Sequence, residues 1–487
     1  MGARNLEQLV SDAEIYAVLR EFNPWWDGAR APDLPDWRRA AFSQVLEWVE
    51  RPPARRAVLL TGARRVGKTT LLLQVADRLI ERGVASSQVI YATFDHPLLK
   101  LAGIERVLRA WRELHTIRPD LEYLLLDEVQ SVPNWEVWLK HQVDFHPQRR
   151  IVVTGSAIPL SQQPESGVGR WHTIRMPTMS FAEYLHLRAE RIPDLPEIPS
   201  LSVTATMTQP ERMRIGVIAR DLVPAFHEYL LRGGFPETAR VESLVTAQRL
   251  LREDIVDKVL KRDMTALYGV RRVVELERLF LYLCRHDAGT LNIPTLCSTL
   301  ELTRSTVNNF LSLLEEANLI YRLRPHGYGK EVLRGKYKVY LADAAIAGSV
   351  LLRGRSLLTQ PELLGLTVET AFFKHLFTHY YQQNVGFSYW QSRDGFEVDV
   401  VAELDGAIVP FEVKYTQSAP GPSELRGLRE FCALRRVSRG YVITRETTDF
   451  GPLAVSNFGD TQVLAVPAVL ACYWLSRIEM NRTRDSL

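Results

Sequence analysis

Short apolar runs alternate with helical segments along the first third of the chain. The runs have the length of strands and cover residues 57–60, 89–94, 123–126 and 151–153. The stretches between them carry apolar residues at helical spacing. Because continuous apolar strands alternate with helices, the pattern predicts an α/β fold with a parallel sheet that is covered on both faces.

The pattern changes in the later part of the chain. Residues 190–211 contain four prolines and many serines and threonines without apolar periodicity, which indicates a linker or surface insertion. Helical spacing resumes over residues 212–267, and a further, mostly helical segment runs to residue 345. Residues 360–475 combine a helix with short strands. This length and organisation fit a protein of about three or more domains.

Composition narrows the class of protein. The 60 basic and 57 acidic residues give a net charge of only +3, so any basic binding surface has to be local. Four cysteines are widely separated without a CxxC pair, which favours a reducing compartment over a disulfide framework. The N-terminus lacks the apolar segment of a signal peptide, and the longest apolar run, residues 463–475, is too short to span a bilayer. We therefore expect a soluble cytoplasmic protein without a membrane partner.

A phosphate-binding loop follows the first apolar run. Residues 62–69 read Gly-Ala-Arg-Arg-Val-Gly-Lys-Thr and fit GxxxxGK[ST] between a strand and a helix. Its backbone N–H groups would wrap the phosphates of ATP, Lys68 would reach the β- and γ-phosphates, and Thr69 would ligate Mg²⁺. The predicted nucleotide-binding residues are Gly62, Ala63, Arg64, Arg65, Val66, Gly67, Lys68, Thr69, Thr70 and Asp127.

The second half of an ATP site is also present. The apolar run 123–126 ends in Asp127 and Glu128, and a buried strand has little reason to end in two carboxylates unless a cation lies there. Asp127 is predicted to hold Mg²⁺ and Glu128 to orient the attacking water. Thr154, at the end of the next run, is a candidate sensor of the γ-phosphate. Arg170 is a candidate arginine finger, with Arg175 as the alternative; a finger that acts in a neighbouring subunit requires an oligomer.

A candidate winged helix precedes the C-terminal region. The helix predicted over residues 303–318 places Val307, Phe310, Leu311 and Leu314 on one face. Residues 320–340 follow as a predicted hairpin with six basic residues and one acidic residue. Polar groups on such a helix and positive charge on such a hairpin suit DNA contact, whereas protein binding through the same module is the alternative. The predicted DNA-binding residues are Arg304, Ser305, Asn308, Arg322, Arg324, Lys330, Arg334, Lys336 and Lys338.

Two further strands carry a group of charged residues. Residues 397–404 and 407–414 are predicted to pair through a two-residue Asp-Gly turn at residues 405–406. That turn places Asp399 opposite Glu412 and Glu397 opposite Lys414, all on one face of the sheet. Adjacent carboxylates repel each other unless a cation separates them, so a Mg²⁺ between Asp399 and Glu412 is predicted. The alternative is a surface hairpin with a Glu397–Lys414 ion pair.

Two resemblances sharpen these predictions. The stretches GARRVGKTTLL, LLLDEVQSVPNW and VVTGSA, with Asn23-Pro-Trp-Trp26 before them, resemble prokaryotic AAA-type ATPases of the archaeal ATPase branch. The resemblance implies a C-terminal domain with a restriction-endonuclease-like fold. The Asp399, Glu412 and Lys414 pattern is similar to PD-(D/E)xK nucleases, which cut DNA with Mg²⁺, and Glu369 matches the helical acid of those enzymes.

The expected architecture follows. An N-terminal helical segment and ATPase core would occupy residues 1–190, followed by a linker (191–211), a helical lid (212–267), a winged helix (268–345) and a nuclease-like domain (360–475). The predicted function is a Mg²⁺-dependent ATPase, active as a homo-oligomer with sites near subunit interfaces. By analogy, it would remodel or translocate on DNA, with branched DNA as one candidate substrate, in repair or recombination. The alternatives are an ATP-gated DNA nuclease, with Glu369, Asp399, Glu412 and Lys414 as its site, and an ATP-dependent signalling switch whose winged helix binds protein.

Overall fold

The chain forms two compact units. The computed structural model describes residues 10–115, 121–155, 169–265, 269–327, 336–383, 385–404, 406–453 and 458–484. The first unit covers Met1–Pro177 together with Thr483–Leu487, and the second covers Thr178–Arg482. The predicted helical lid, winged helix and nuclease-like region all lie in the second unit, where they share one sheet and its helices.

A parallel sheet forms the centre of the first unit, as the alternation of apolar runs and helices predicts. Its strands are β1 (Ala57–Thr61), β2 (Val89–Thr93), β3 (Glu122–Asp127), β4 (Arg149–Gly155) and β5 (Trp171–Arg175). They lie in the order β2-β3-β4-β1-β5, and every neighbouring pair is parallel. β1 and β3 are buried along their whole length because helices cover both faces. The carboxyl ends of β1, β4 and β3 therefore lie side by side at one edge.

Five helices are described in the first unit. They are α1 (Asp12–Phe22), α2 (Ala41–Glu50), α3 (Lys68–Glu81), α4 (Pro97–Leu114) and α5 (Trp135–Phe145). α1 begins after Ser11, whose side chain accepts the backbone N–H of Glu14 while Glu14 bonds back to Ser11. Ile15 and Leu19 of α1 and Trp111 of α4 enter a core with the apolar strands.

The Asn23-Pro-Trp-Trp26 segment closes an edge of this sheet. Asn23 donates from its amide nitrogen to the Tyr91 carbonyl at 2.8 Å and accepts the Tyr91 N–H at 2.7 Å. The indole nitrogens of Trp25 and Trp26 both donate to the Val89 carbonyl, at 3.1 and 3.0 Å. Because β2 is an edge strand, these bonds satisfy backbone groups that would otherwise face outward. The two tryptophans therefore anchor the N-terminal segment on the strand edge.

The second unit is rich in helices. Those described are α6 (Phe181–Leu187), α7 (Gln209–Ala219), α8 (Val223–Arg232), α9 (Pro236–Arg240), α10 (Leu244–Arg252), α11 (Val273–Arg285), α12 (Ile293–Leu300), α13 (Arg304–Glu316), α14 (Ala345–Val350), α15 (Pro361–Tyr380), α16 (Arg426–Arg435) and α17 (Ala468–Arg484). A π-helical segment, Glu253–Asp263, continues α10. α15 is central, since even its polar residues Glu369, Thr370 and Lys374 are buried. A helix that is buried all round lies inside a core rather than on a surface.

A nine-stranded mixed sheet joins the predicted winged helix to the predicted nuclease-like region. Its strands are β6 (Gly289–Leu291), β7 (Ile320–Pro325), β8 (Tyr337–Leu341), β9 (Gly386–Gln391), β10 (Glu397–Leu404), β11 (Ala407–Lys414), β12 (Arg439–Thr444), β13 (Gly451–Pro452) and β14 (Gln462–Pro467). They lie in the order β13-β14-β12-β11-β10-β9-β7-β8-β6. The connection is made by β7 and β9, which are parallel with Arg324 opposite Ser388. This pairing places the hairpin β7–β8 next to the strands that carry the acidic residues.

The predicted register of the β10–β11 hairpin is confirmed. Leu404 pairs with Ala407, and Val400 pairs with Phe411. Gly406 has a φ of 79°, which the glycine of a tight turn adopts without strain. Asp405, the first residue of the predicted turn, lies outside the described residues. The register continues toward Asp399 and Glu412 at the far end of the hairpin.

The proline-rich segment 190–211 is packed within the second unit. Leu195, Ile198 and Leu201 are buried, and the Pro196 carbonyl accepts the indole N–H of Trp474 in α17 at 3.0 Å. Helix α7 then begins after Thr208, which forms a capping box with Glu211. The segment predicted as a linker or surface insertion is thus an extended chain whose prolines restrict its path and whose apolar side chains are buried.

Candidate functional site

The loop between β1 and α3 has the backbone that phosphate binding requires. Gly67 has a φ of 99° and Arg65 a φ of 63°, so the chain turns twice through left-handed conformations before α3 begins. At Gly62, a Cβ atom would lie 2.1 Å from the backbone oxygen of Met176, so a side chain cannot be accommodated there. The loop therefore brings backbone N–H groups to the N-terminus of α3, where an anion is favoured.

Lys68 is held at this loop by neutral groups. Its side-chain nitrogen donates to the carbonyl oxygens of Gly62 at 2.9 Å and Ala63 at 3.0 Å, and the residue is 5% exposed. Carbonyl oxygens satisfy the ammonium group without neutralising its charge. A phosphate in the loop would offer a stronger, charged acceptor to the same nitrogen.

Thr69 and Asp127 meet beside this lysine. The Thr69 hydroxyl donates to Asp127 Oδ2 at 2.7 Å, which brings two oxygen groups of the kind that Mg²⁺ prefers into contact. Burial and the nearby charge of Glu128 raise the pKa of Asp127 above its ordinary value. A cation at this position would stabilise the ionised form of Asp127. The residues present thus fit a divalent cation bound together with a nucleotide.

Thr154 lies behind Asp127. Its hydroxyl donates to Asp127 Oδ1 and accepts the backbone N–H of Glu128 at 3.1 Å, and the residue is fully buried. Both hydrogen bonds of this hydroxyl are thereby committed to the end of β3. We therefore expect Thr154 to position Asp127 and Glu128 rather than to touch a phosphate. Glu128 itself has a φ of 53°, a conformation that only its surroundings can enforce.

Arg170 is separated from its own phosphate loop. The first residue of β1, Ala57, pairs with Trp171, whereas the last, Thr61, pairs with Arg175. Arg170 therefore lies at the amino end of the sheet, where it forms an ion pair with Asp144 at 3.3 Å. The phosphate loop leaves the opposite end. The role of Arg170 as a finger for a neighbour's site therefore stays a prediction, and Arg175 lies at the same end of the sheet as the phosphate loop.

Sequence reasoning missed two supports of the site. The buried guanidinium of Arg39 donates to the carbonyl oxygens of Val66 and Pro177, so it braces the phosphate loop. The Tyr91 hydroxyl donates to Asp127 Oδ2 at 3.1 Å. Neither residue belongs to a recognisable motif. Arg39 precedes α2 and Tyr91 lies on β2, so only the packing of these elements brings the two side chains to the site.

Helix α13 has the predicted division of faces. Val307, Phe310, Leu311 and Leu314 are buried. Arg304, Ser305 and Asn308 lie on the exposed face. Thr303 caps the helix by accepting the Thr306 N–H at 3.2 Å. The helix thus presents short polar side chains and one arginine at its N-terminal end.

The basic residues of the hairpin after α13 differ in their exposure, although all were predicted to face DNA. Arg324 and Lys336 are exposed, but Arg322 is partly buried and forms an ion pair with Glu315, with Nε at 2.8 Å. Lys330 and Arg334 lie outside the described residues. Lys338 is 1% exposed, so its prediction as a DNA contact was wrong.

Lys338 instead lies among the acidic residues of the nuclease-like region. Its ammonium nitrogen is 2.6 Å from Glu397 Oε1, 2.8 Å from Asp399 Oδ1 and 2.8 Å from Glu369 Oε1. Burial alone would lower the pKa of Lys338, but Asp399 and Glu369 outweigh it and raise that pKa well above its ordinary value. We call Lys338, Glu369, Glu397, Asp399, Glu412 and Lys414 the carboxyl–lysine cluster.

The remaining members of the cluster are also engaged. Asp399 Oδ2 accepts the backbone N–H of Val413 at 2.8 Å, and Lys414 lies 2.7 Å from Glu412 Oε1. Lys414 therefore pairs with its neighbour on β11 rather than with Glu397. The structure brings together all four predicted nuclease residues, Glu369, Asp399, Glu412 and Lys414, but adds a lysine at their centre.

The carboxyl groups of the cluster differ in their affinity for protons. Burial, followed by the charge of Asp399, raises the pKa of both Glu369 and Glu412 to about 8. Burial opposes ionisation of Asp399 too, but Lys338 and Lys414 outweigh it and lower the pKa of Asp399. The predicted Mg²⁺ between Asp399 and Glu412 does not fit this arrangement. Among the residues that the structure describes, no group of three or more His, Cys, Asp or Glu side chains could hold a metal ion.

Comparison with known families supports the fold of the first unit. A family model described as an AAA domain matches residues 54–185. Two models for domains of unknown function, DUF8612 and DUF4143, match residues 223–357 and 364–458. The AAA match, the phosphate loop and the five-stranded parallel sheet agree with an AAA-type P-loop NTPase fold for this part of the chain.

Individual relatives extend over most of the chain. An uncharacterized protein of Haemophilus influenzae is 25% identical over 73% of this chain and 82% of its own length. An uncharacterized protein of Mycobacterium tuberculosis is 26% identical over 88% of this chain and 83% of its own. Among solved structures, the ORC1 protein of Aeropyrum pernix in complex with DNA is 15% identical, with a TM-score of 0.29 over 67% of this chain and 96% of that protein. In the described parts of the chain, every helix is too short or too polar to cross a membrane.

Proposed function

We propose that the first unit hydrolyses ATP with Mg²⁺. The observation that carries this proposal is the contact of the Thr69 hydroxyl with Asp127 Oδ2 at 2.7 Å, next to Lys68, whose ammonium group donates to the carbonyls of Gly62 and Ala63. Thr69 and Asp127 are the residues that would hold Mg²⁺. Bound Mg²⁺ would offset charge on the phosphates and polarise the bond to the leaving group.

Each protein group has a separate task in this proposal. When nucleotide binds, the Lys68 ammonium group would donate to phosphate oxygens in place of the carbonyls of Gly62 and Ala63. Its positive charge would stabilise the negative charge that develops during phosphoryl transfer. Glu128 would orient a water molecule for attack. Thr154 would keep Asp127 and Glu128 in place through its two hydrogen bonds. Arg39 would hold the loop rigid from behind.

The proposal is tested by ATP turnover of the purified chain. Lys68→Ala should lower kcat/KM by about a hundredfold or more, since it removes a charge that acts on the transferred phosphoryl group. Lys100→Ala, at an exposed lysine of the same unit, is the matched control and should change little. Glu128→Gln should keep nucleotide binding but lose turnover. Equal turnover of Lys68→Ala and the wild type would contradict the proposal.

We propose in addition that the second unit binds DNA through α13. Support comes from the exposed face of this helix, where Arg304, Ser305 and Asn308 surround its N-terminus. Short polar side chains and an arginine can approach base edges and phosphates in a groove. Arg324 and Lys336 on the following hairpin would add phosphate contacts. A DNA-coupled ATPase that remodels or translocates on DNA is the function that joins both proposals.

DNA binding is tested by fluorescence anisotropy at fixed salt with single-stranded, duplex, forked and four-way-junction DNA. Arg304→Gln with Asn308→Ala should weaken binding by about tenfold or more. Arg249→Gln, at an arginine that is 76% exposed on α10, serves as the control. If none of the four DNA forms binds or stimulates ATP turnover, DNA coupling is excluded, and a nucleotide switch with a protein partner becomes the better proposal.

A homo-oligomer remains part of the proposed function. Arg170 lies at the opposite end of the sheet from its own phosphate loop, so it could act only at the site of another copy. Arg170→Ala should then lower ATP turnover without changing nucleotide affinity. Mixing this variant with Lys68→Ala protein should restore part of the turnover if the arginine acts between subunits. No recovery on mixing would contradict a finger shared between subunits.

A further inference from the structure

The ammonium group of Lys338 lies among carboxyl oxygens, in the position that a bound cation would take. A lysine ammonium has three N–H donors and no acceptor. Here three carboxyl oxygens, from Glu369, Glu397 and Asp399, lie within 2.6–2.8 Å of that one nitrogen. The lysine side chain is 2% exposed, so water contributes little to its hydration. The centre of the cluster is thus filled by a positive charge of the chain itself.

Several of the oxygens that a metal would need are already engaged, whereas Glu412 Oε2 is buried without a hydrogen-bond partner among the described residues. Asp399 Oδ1 accepts from Lys338, and Asp399 Oδ2 accepts the Val413 N–H at 2.8 Å. Glu369 Oε1 accepts the Tyr340 hydroxyl at 2.8 Å in addition to its ion pair with Lys338. Mg²⁺ requires oxygens at about 2.0–2.1 Å and dehydrates reluctantly. It could enter only if these bonds were broken.

The lysine and the acids come from different parts of the fold. Lys338 lies on β8, Glu397 and Asp399 lie on β10, and Glu369 lies on α15. Burying any of these charges alone would cost several kcal/mol, so each side depends on the other. β8 reaches the cluster because β7 pairs with β9 and extends the same sheet. The position of the lysine is therefore fixed by sheet pairing.

We infer that Lys338 is a resident cation that occupies the place of a divalent metal and closes the carboxyl–lysine cluster to Mg²⁺ and Mn²⁺. The inference is independent of the ATPase proposal. It accounts for a group of acids that resembles a nuclease site yet lies around a buried ammonium. In this arrangement the cluster joins β8, β10 and α15, and a metal site would form only where the lysine is removed or withdrawn.

The inference is tested by titrating Mn²⁺ and measuring the free ion by electron paramagnetic resonance. All proteins carry Asp127→Asn, which removes the predicted metal ligand of the ATP site, and no nucleotide is added. In this background, Lys338→Met should gain one Mn²⁺ per chain, bound at least about tenfold more tightly than by the parent. The gain should disappear when Asp399→Asn is added. Lys336→Met, two residues away at an exposed position, is the matched control.

Two results would overturn the inference. One is Mn²⁺ binding by the parent that is lost on Asp399→Asn, since this would mean that metal enters beside Lys338. The other is a folded Lys338→Met protein that binds no more Mn²⁺ than the parent. Should Lys338→Met fail to fold, the comparison of the parent with its Asp399→Asn variant decides alone. No difference in Mn²⁺ binding between them supports a closed cluster, and a difference refutes it.

Discussion

Each unit holds a buried lysine next to acidic residues, and the two lysines differ in what surrounds them. Lys68 donates to two backbone carbonyls, whereas Lys338 lies among three carboxyl groups. The carbonyls leave the charge of Lys68 available to an incoming phosphate. The carboxyl groups offset the charge of Lys338 within the protein. The same residue type is thus poised for a ligand in one unit and used as an internal counter-ion in the other.

This difference shows why residue type alone does not define a site. At the phosphate loop, Gly62 packs directly against the backbone of Met176, where a Cβ atom would lie 2.1 Å from the oxygen, and Lys68 bonds to carbonyls of the loop. In the carboxyl–lysine cluster, β8, another strand of the same sheet, supplies the cation that a ligand would otherwise bring. A candidate active site is therefore judged by what its side chains contact as well as by their types.

The largest expected effect is on the stability of the second unit. Lys338→Met leaves three buried carboxyl groups without their cation, so the free energy of unfolding should fall by about 3–5 kcal/mol. Lys336→Met, at an exposed position, should change it by less than about 0.5 kcal/mol. Urea denaturation followed by tryptophan fluorescence measures both. Equal stability of the two variants would mean that Lys338 is not the counter-ion of the cluster.

A smaller effect concerns pH. Glu412 ordinarily has a pKa of 4.5, but in the folded chain burial and Asp399 raise it to about 8. Between these values the folded chain binds more protons than the unfolded chain, so the free energy of unfolding should fall as pH rises from about 5 to about 8. The expected fall is about 3–4 kcal/mol, at about 1.4 kcal/mol per unit of pKa shift.

The matching variant isolates this contribution. Glu412→Gln cannot ionise, so its stability should fall less steeply over the same range of pH. Denaturation at several pH values compares the two slopes. An unchanged slope would assign the pH dependence to other groups, and a slope that rises with pH would contradict the raised pKa of Glu412.

The smallest effect is expected at the ATP site. Thr154→Val removes the hydroxyl that bonds to Asp127 and to the Glu128 N–H. Because this hydroxyl acts through those two residues, kcat should fall by about tenfold, which is about 1.4 kcal/mol, with little change in KM. Steady-state ATP turnover measures both constants. A loss as large as that of Lys68→Ala would instead indicate direct contact with the phosphates.

Much of the first unit follows from local sequence. The apolar runs predict four of the five strands of the parallel sheet, β1 to β4, and the glycine pattern predicts the loop before α3. The Asp-Gly turn likewise predicts the pairing of Val400 with Phe411 in the second unit. These features depend on periodicity and on backbone conformation, which neighbouring residues along the chain largely fix.

The burial of Lys338 could be predicted from the sequence only in part. On its strand the residue is followed by Val339, Tyr340 and Leu341, all buried, so apolar neighbours lie on both faces. That pattern is typical of an interior strand and argues against a lysine directed to solvent. The prediction of a DNA contact relied on the number of basic residues in the whole hairpin. Such a count does not distinguish the buried and exposed faces of a strand.

The sequence by itself determined the phosphate loop, the acidic end of β3, the order of strands and helices, and the register of the β10–β11 hairpin. Each rests on contacts between residues close together in the chain. Only the tertiary structure decided that Arg170 lies away from its own loop, that β7 joins β9, and that Lys338 fills the acidic cluster. These outcomes depend on which distant strands pair, and sheet pairing is set by the packing of the whole unit.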